Sequence, residues 1–140
     1  MANQKYDNLT VMMTSGQLNW AGDAIVAILV TGVTFRPTDA TLTDANGTLM
    51  GIVPIQQRSV ATDGSLLGAA VSFSNMPKGT DFQVLIAKDN GPVGPPALLS
   101  YYDSDEGGDL LSLKNNGTLI VRPQQTLPAD DTGQGSWITI

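Results

Sequence analysis

A nearly unbroken run of apolar positions near the start of the chain predicts its central strand. The run Asp23–Thr31, "DAIVAILVT", carries one charge, at its first residue. It is too short to cross a membrane as a helix, which needs about 20 apolar residues. Ala24–Val30 is rich in Ile and Val, so it predicts a central strand that is covered on both faces. Residues 82–88, "FQVLIAK", predict a second strongly apolar strand.

Shorter runs between turn residues predict the remaining strands. In Ala69–Ser74, the apolar residues Val71 and Phe73 alternate with serines, which is typical of a strand with one buried face. Residues 48–57 contain an internal glycine and Pro54. Because proline donates no ladder hydrogen bond, this strand is predicted to lie at a sheet edge or to be bulged. Further strands are predicted at residues 97–103, 110–114 and 118–122.

One short helix is predicted at residues 7–15, with Asp7 or Asn8 as its cap and Gly16 at its end. Its buried face is predicted to consist of Leu9, Met12 and Met13. Residues 36–47 predict a loop that closes in an Asn-Gly hairpin turn. Short strands joined by turn-rich connections, with this one helix, predict a mainly β fold: an antiparallel β-sandwich or barrel at residues 1–122.

An extended C-terminal arm, residues 123–140, is predicted to follow this domain. Two prolines and a polar stretch keep residues 123–135 out of the predicted core. The last residues, "SWITI", are strongly β-forming, and the candidate partner contacts there are Trp137, Ile138 and Ile140. This apolar end either folds back as one more strand of its own sheet or adds a strand to the sheet of a neighbouring subunit. Of these two alternatives, the second is favoured.

Composition narrows the classes of partner. Charged residues make up 14% of the chain, against about 25% in typical domains, which favours a surface that partners partly cover. The net charge of −6 and the scattered basic residues argue against nucleic acid as a direct partner. The first residues contain no apolar signal segment, so synthesis in a cytoplasm is expected, and no membrane association is predicted.

Candidate chemistry is sparse. The chain has no Cys and no His, so it lacks thiolate metal ligands and the commonest general base. Four acidic residues, Asp103, Asp105, Glu106 and Asp109, could hold Ca²⁺ through carboxylate oxygens. The EF-hand spacing fails, since Lys114 stands where the twelfth-position Glu would be, and a solvated loop is the favoured interpretation. We therefore predict no metal, no cofactor, no catalytic residues and no enzymatic activity.

Three large aromatic residues are candidates for ligand or partner contact. Trp20, Tyr101 and Tyr102 could form a platform for a sugar or a base. Such residues also commonly lie half-buried at the rim of a core. The sequence leaves both interpretations open.

The order of these elements resembles a family. Residues 5–44 are similar to a pattern common in small structural proteins of tailed bacteriophages, in which a short helix, a strand and an extended loop follow one another. The matching pieces are Asp23–Val30, Val33–Phe35 and Leu42–Asp44. In the second half, "FQVLIAKDNG", "ALLSYYDSDEGG" and "NNGTLIVR" resemble the closing strands of that family. The resemblance covers roughly residues 5–122, and the family offers no active site.

The resemblance implies a virion structural protein. The expected role is to decorate or cement the capsid through repeated contacts with the major capsid protein or other virion proteins, as a homo-oligomer in the virion. The alternatives are a neck, tail or fibre-attachment component, or a glycan-binding module on the virion surface.

Overall fold

The computed structural model of the chain describes residues 4–62, 64–103, 111–113, 115–121 and 135–138. Within these ranges the fold is mainly β and its sheets are antiparallel, with a short N-terminal helix, which confirms the predicted fold class. Neither α-helix in these ranges has the length and apolar character needed to cross a membrane.

The elements follow one another along the chain as short segments. The helices are α1 (Asp7–Thr14), α2 (Leu42–Ala45) and a 3-10 turn (Gly91–Val93). The strands are β1 (Gln4–Lys5), β2 (Ile25–Thr31), β3 (Thr48–Pro54), β4 (Ser59–Val60), β5 (Leu66–Gly68), β6 (Val71–Met76), β7 (Gln83–Lys88), β8 (Ala97–Tyr102), β9 (Gly117–Val121) and β10 (Gly135–Ile138).

A five-stranded sheet in the order β1-β8-β7-β2-β3 forms the centre of the fold. In β2, Ile28 lies opposite Leu85 of β7 on one side and Ile52 of β3 on the other. Successive side chains of β2 alternate between two hydrophobic clusters, and all from Ile25 to Val30 are buried. The prediction of a strand covered on both faces is therefore confirmed.

Different elements cover the two faces of this sheet. On the first face, buried side chains of β2, β7 and β8 pack with residues of α1 and of two smaller sheets, β10-β5-β4 and β6-β9. On the second face the covering residues come from the N-terminus and from the connection between β2 and β3; they are Tyr6, Val33, Phe35, Leu42 and Ala45.

The two edges of the central sheet differ. At the β8 edge, the two residues of β1 pair with Ser100 and Tyr101. The connection before β3 covers the start of the same strand, because the Leu98 N–H donates to Ala40 O and the Leu42 N–H donates to Pro96 O. At the other edge β3 is bulged: Leu29 and Val30 lie opposite Gly51 and Leu49, with Met50 skipped between them. The predicted edge position and bulge of this strand are both confirmed.

The loop predicted at residues 36–47 contains helix α2, and the Asn46-Gly47 pair does not form a hairpin turn. Asn46 is instead the C-cap of α2, with a φ of 57°. The Asp44 carboxylate accepts hydrogen bonds from the N–H groups of Ala40 and Thr41, both at 3.1 Å, which lowers the pKa of Asp44. This capping box with Thr41 makes a single helical turn stable where turn residues predicted a loop.

Helix α1 confirms the predicted N-terminal helix, with differences at its cap and face. Leu9 and Met12 are buried, but Met13 is 44% exposed. No side chain caps the helix; the Asn8 amide reaches across to the carbonyls of Ala40 and Leu98, at 3.3 Å each. The helix ends at Thr14 with Ser15 as its C-cap, and Gly16 follows with a φ of 74°, which favours glycine.

In the second half of the chain, β6, β7, β8 and β9 confirm the strands predicted at residues 69–74, 82–88, 97–103 and 118–122. In β6, Val71 and Phe73 are buried while Ser72 and Ser74 are exposed, and β6 pairs with β9. The strand predicted at residues 110–114 is not formed in the part that the structure describes: within residues 111–113, Leu111 makes only an isolated antiparallel bridge with Phe82.

Candidate functional site

The three aromatic residues predicted as a ligand platform are buried. Trp20, Tyr101 and Tyr102 are each at most 5% exposed. The choice of these residues as surface contacts is therefore wrong; their large apolar rings complete the two clusters of the core.

Trp20 anchors the loop before β2 to the sheet β10-β5-β4. Its Nε1–H donates to Leu67 O of β5 at 2.8 Å. The half-buried Arg58 holds the same loop from the other side, since its guanidinium donates to the carbonyl oxygens of Trp20 (2.7 Å), Ala21 (3.5 Å) and Asp23. The guanidinium also donates to Ile55 O at 2.5 Å. This arrangement fixes backbone and leaves the indole no free face for a ligand.

Replacing Arg58 by Ala is expected to lower the free energy of unfolding by about 2–4 kcal/mol, since hydrogen bonds from a charged group contribute about 1.5–3 kcal/mol and leave carbonyls unpaired when removed. Urea unfolding followed by circular dichroism measures the loss. Lys78→Ala is the matched control, because it removes one charge from an exposed side chain and is expected to change stability by less than about 0.5 kcal/mol. Equal stabilities of the two variants would contradict the anchoring role of Arg58.

Tyr101 and Tyr102 point to opposite faces of β8. Tyr101 donates to Val33 O at 3.3 Å and packs on Phe35, with ring centres 5.4 Å apart. Tyr102 meets Trp137 edge to face at 5.8 Å. Burial raises the pKa of both phenols, so both remain protonated and neutral in the core at physiological pH.

The apolar end of the chain is a strand of its own sheet. β10 pairs antiparallel with β5, and Trp137 and Ile138 are fully buried. This corrects the prediction that they contact a neighbouring subunit; their own core has room for them. Ile140 and residues 123–134 lie outside the described residues.

Trp137 fits a space that Gly68 leaves open. A Cβ at residue 68 would lie 2.6 Å from Ile55 Cγ2 and 3.0 Å from Trp137 Cδ1. The indole Nε1–H donates to Ala69 O at 3.1 Å, which satisfies the one polar group of this side chain. The docking is therefore specific in shape and in hydrogen bonding.

The acidic cluster is described only in part. Asp103 follows β8, while Asp105, Glu106 and Asp109 lie outside the described residues. Among the residues that the structure places, no three acidic side chains lie close enough together to hold a metal ion.

A depression of about 510 Å³ lies between α1 and the end of β7. Its polar groups serve the fold: the Lys88 ammonium donates to Gln17 O at 2.7 Å and pairs with Asp23 at 3.3 Å. The Asn90 amide donates to Pro95 O at 3.1 Å. Among the described residues that line the depression, the charged side chain is Lys88, and its ammonium is engaged by Gln17 O and Asp23.

The outer edge of β3 is a surface feature that was not among the aromatic and acidic sites predicted from the sequence. Leu49 and Ile52 are 52% and 47% exposed, and the segment Thr48–Pro54 carries no charge. They lie opposite Val30 and Ile28, so they continue the second face of the central sheet beyond its cover. The uncharged sequence of the strand is the signal that could have identified it.

The backbone of β3 adds to this surface. Ile55 N–H donates to Ile25 O at 3.0 Å, and hydrogen-bonded pairs alternate along an antiparallel ladder. The backbone groups of Ile52 therefore face outward, away from β2. Leu49, Ile52 and these outward backbone groups are called the β3 edge surface below.

Comparisons of this chain with protein-family models, with curated proteins and with solved structures find no match.

Proposed function

We propose that the protein is a structural component of a bacteriophage virion that decorates or cements the capsid by protein–protein contact. The resemblance of residues 5–122 to small tailed-phage structural proteins supports the class, and the β3 edge surface supports the mode of action. This role is one of binding, without catalysis, and places the protein in the virion.

The observation that carries the proposal is the pair of large apolar side chains on an uncharged edge strand. Exposed apolar side chains gathered on one surface are typical of interaction sites. The Pro54 imide and the bulge at Met50 interrupt the outward hydrogen-bonding pattern of β3. We therefore assign recognition to the side chains of Leu49 and Ile52, with the outward groups of Ile52 in support.

A capsid protein surface is the partner that this chemistry fits best. The β3 edge surface has no cation for a phosphate backbone. Its aliphatic side chains match an apolar patch of another protein. A glycan-binding role is less well supported, because the aromatic residues proposed to contact a sugar, Trp20, Tyr101 and Tyr102, are buried in the core.

The test is rebinding to phage particles prepared without the protein. Wild-type protein is expected to bind capsid shells saturably and with a fixed stoichiometry. The variant Leu49→Ser with Ile52→Ser is expected to bind at least tenfold more weakly, because truncating a hot-spot contact at the centre of an interface costs about 2 kcal/mol or more, which is about 30-fold.

A matched control removes two other exposed apolar side chains. Val60→Ser with Ile120→Ser changes residues that are 55% and 50% exposed and lie on the two smaller sheets. This control is expected to bind like wild type. Binding to isolated tails alone would favour the neck or tail alternative, and hits on a glycan array without any particle binding would overturn the proposal.

A further inference from the structure

Three pairs of neighbouring residues carry a chemically labile group, and the fold holds each pair differently. They are the Asn-Gly pairs Asn46-Gly47, Asn90-Gly91 and Asn116-Gly117. Asparagine is thermally labile, because the backbone nitrogen of the next residue can attack its side-chain amide carbon. A glycine in that next position has no Cβ to hinder the attack. The reaction needs an asparagine side chain and a backbone nitrogen that are both free to approach each other.

The pair Asn90-Gly91 is held at both reacting groups. The Asn90 side-chain amide donates to Pro95 O at 3.1 Å. The Gly91 N–H donates to the Asp89 carboxylate at 2.8 Å. Because both hydrogen bonds must break before the nitrogen can reach the amide carbon, the folded state protects this pair.

The pair Asn116-Gly117 is held through its side chain and its strand. The Asn116 side-chain oxygen accepts the Lys78 N–H at 2.9 Å, which ties it to the turn after β6. Gly117 begins β9 and lies opposite Met76 of β6 in the ladder. The asparagine therefore cannot turn toward the glycine nitrogen without giving up its bond to the turn, and this pair is protected as well.

The pair Asn46-Gly47 lacks such restraints. Asn46 is exposed and is the C-cap of α2, with a φ of 57° and a ψ of 37°. Among the residues that the structure describes, neither the Asn46 side-chain amide nor the Gly47 N–H has a hydrogen-bond partner. The peptide between them must rotate for the ring to close. Since α2 is a single turn of four residues, opening at its end costs little free energy.

The fold also requires these two residue types at this junction. Asparagine is one of the few residues besides glycine that adopt the left-handed conformation readily. A Cβ at residue 47 would lie 2.2 Å from Val33 Cγ2 and 2.8 Å from Thr31 O, so glycine is the residue that fits. The requirements that end α2 and lead into β3 therefore place a labile pair on the surface.

We propose that Asn46 is a site of spontaneous modification in the folded protein, at which the side-chain amide becomes a carboxylate. The Gly47 nitrogen gives its proton to hydroxide and bonds to the Asn46 side-chain carbon. The bond from that carbon to the amide nitrogen breaks, and ammonia leaves with a proton taken from water. Water then opens the cyclic imide at either carbonyl. The product at position 46 is an aspartate, or an isoaspartate in which the main chain continues through the side-chain carbon.

Both products change the approach to β3. Each adds a negative charge two residues before Thr48, the first residue of a strand that carries no charge. Isoaspartate also adds one carbon to the main chain at the end of α2. The reaction needs water and hydroxide as its only co-reactants, so it proceeds without any partner and its test is independent of the proposed function.

The test follows the three pairs in one preparation of the purified chain. Half of the protein is incubated folded in a mildly alkaline buffer, and half is incubated in the same buffer with urea. Cleavage after Lys and Arg places the three pairs in different peptides. Mass spectrometry measures the conversion of amide to acid in each peptide over time, and fragmentation assigns the residue. The rate of each pair in urea is the reference for its rate in the folded protein.

Relative to its own rate in urea, Asn46 is expected to convert at least about tenfold faster in the folded protein than Asn90 or Asn116, because those two must wait for local opening. A smaller difference, or no conversion at position 46 in the folded protein, would overturn the proposal.

Asn46→Gln is the matched variant, since its longer side chain cannot form the same ring. Isoelectric focusing of the folded wild-type protein is expected to show a more acidic band that grows during incubation. The variant, checked for a native circular dichroism spectrum, is expected to lack this band. A band that grows equally fast in the variant would assign the modification to another residue and contradict the choice of Asn46.

Discussion

Replacing Ile28 by Asp is expected to unfold the protein. Ile28 has no exposed surface and lies at the middle of β2, between Leu85 and Ile52. The hydrophobic cluster on the second face of the central sheet offers a carboxylate at this position no cation partner. Burying an unpaired charge costs several kcal/mol, even after its pKa shifts. That cost is comparable with the total stability of a small domain, about 5–15 kcal/mol. Circular dichroism and a thermal melt measure the loss of structure.

Ile52→Asp is the matched control for this prediction. Ile52 faces the same side of the sheet directly beside Ile28, but it is 47% exposed. The same change of residue type at the neighbouring position is expected to leave the fold intact, because the new carboxylate remains in water. A native spectrum and an unchanged melt for Ile28→Asp would mean that β2 is not covered on both faces.

The strands with strong local patterns could be predicted from the sequence. A continuous apolar run has only one stable environment in a β fold, which is burial on both faces, and β2 and β7 occupy it. Alternation in residues 71–74 fixed the buried face of β6, and the glycine and Pro54 fixed the edge position of β3. In these segments, local chemistry and tertiary position agree.

The segments that could not be predicted depend on partners far along the chain. Whether Tyr101 is exposed depends on Phe35 and Val33, about seventy residues away. The Asn46-Gly47 pair has the composition of a hairpin turn, but the capping box before it makes it the end of a helix. Local propensity cannot decide such cases, because the competing conformations differ through contacts that are absent from the local sequence.

The β3 edge surface was hard to identify for a related reason. An exposed Leu or Ile is ordinary on protein surfaces, and only the position of β3 at the edge of the sheet formed by the described residues makes the pair notable. Residues 48–57 showed the edge, whereas the register with Val30 and Ile28 was needed to place Leu49 and Ile52 on one face.

The C-terminal strand shows the same limit. Residues 136–140 predicted a β-forming apolar end that must be buried, and Trp137 and Ile138 are indeed buried. The choice between the chain's own sheet and a neighbour's depended on the space beside Gly68, which no local pattern around residue 137 reveals.

Replacing Trp137 by Ala is expected to lower the free energy of unfolding by about 3–5 kcal/mol, the usual cost of truncating a buried aromatic side chain. The melting temperature is expected to fall by roughly 10 °C or more. The change removes the contact with Tyr102, leaves Ala69 O without its donor and opens a cavity beside Ile55.

Trp137→Phe is the matched variant: it keeps an aromatic ring in the groove but loses the Nε1–H, so it is expected to lose clearly less stability than Trp137→Ala. If Trp137→Ala unfolds at the same urea concentration as wild type, β10 contributes nothing to the core and its placement in the groove is wrong.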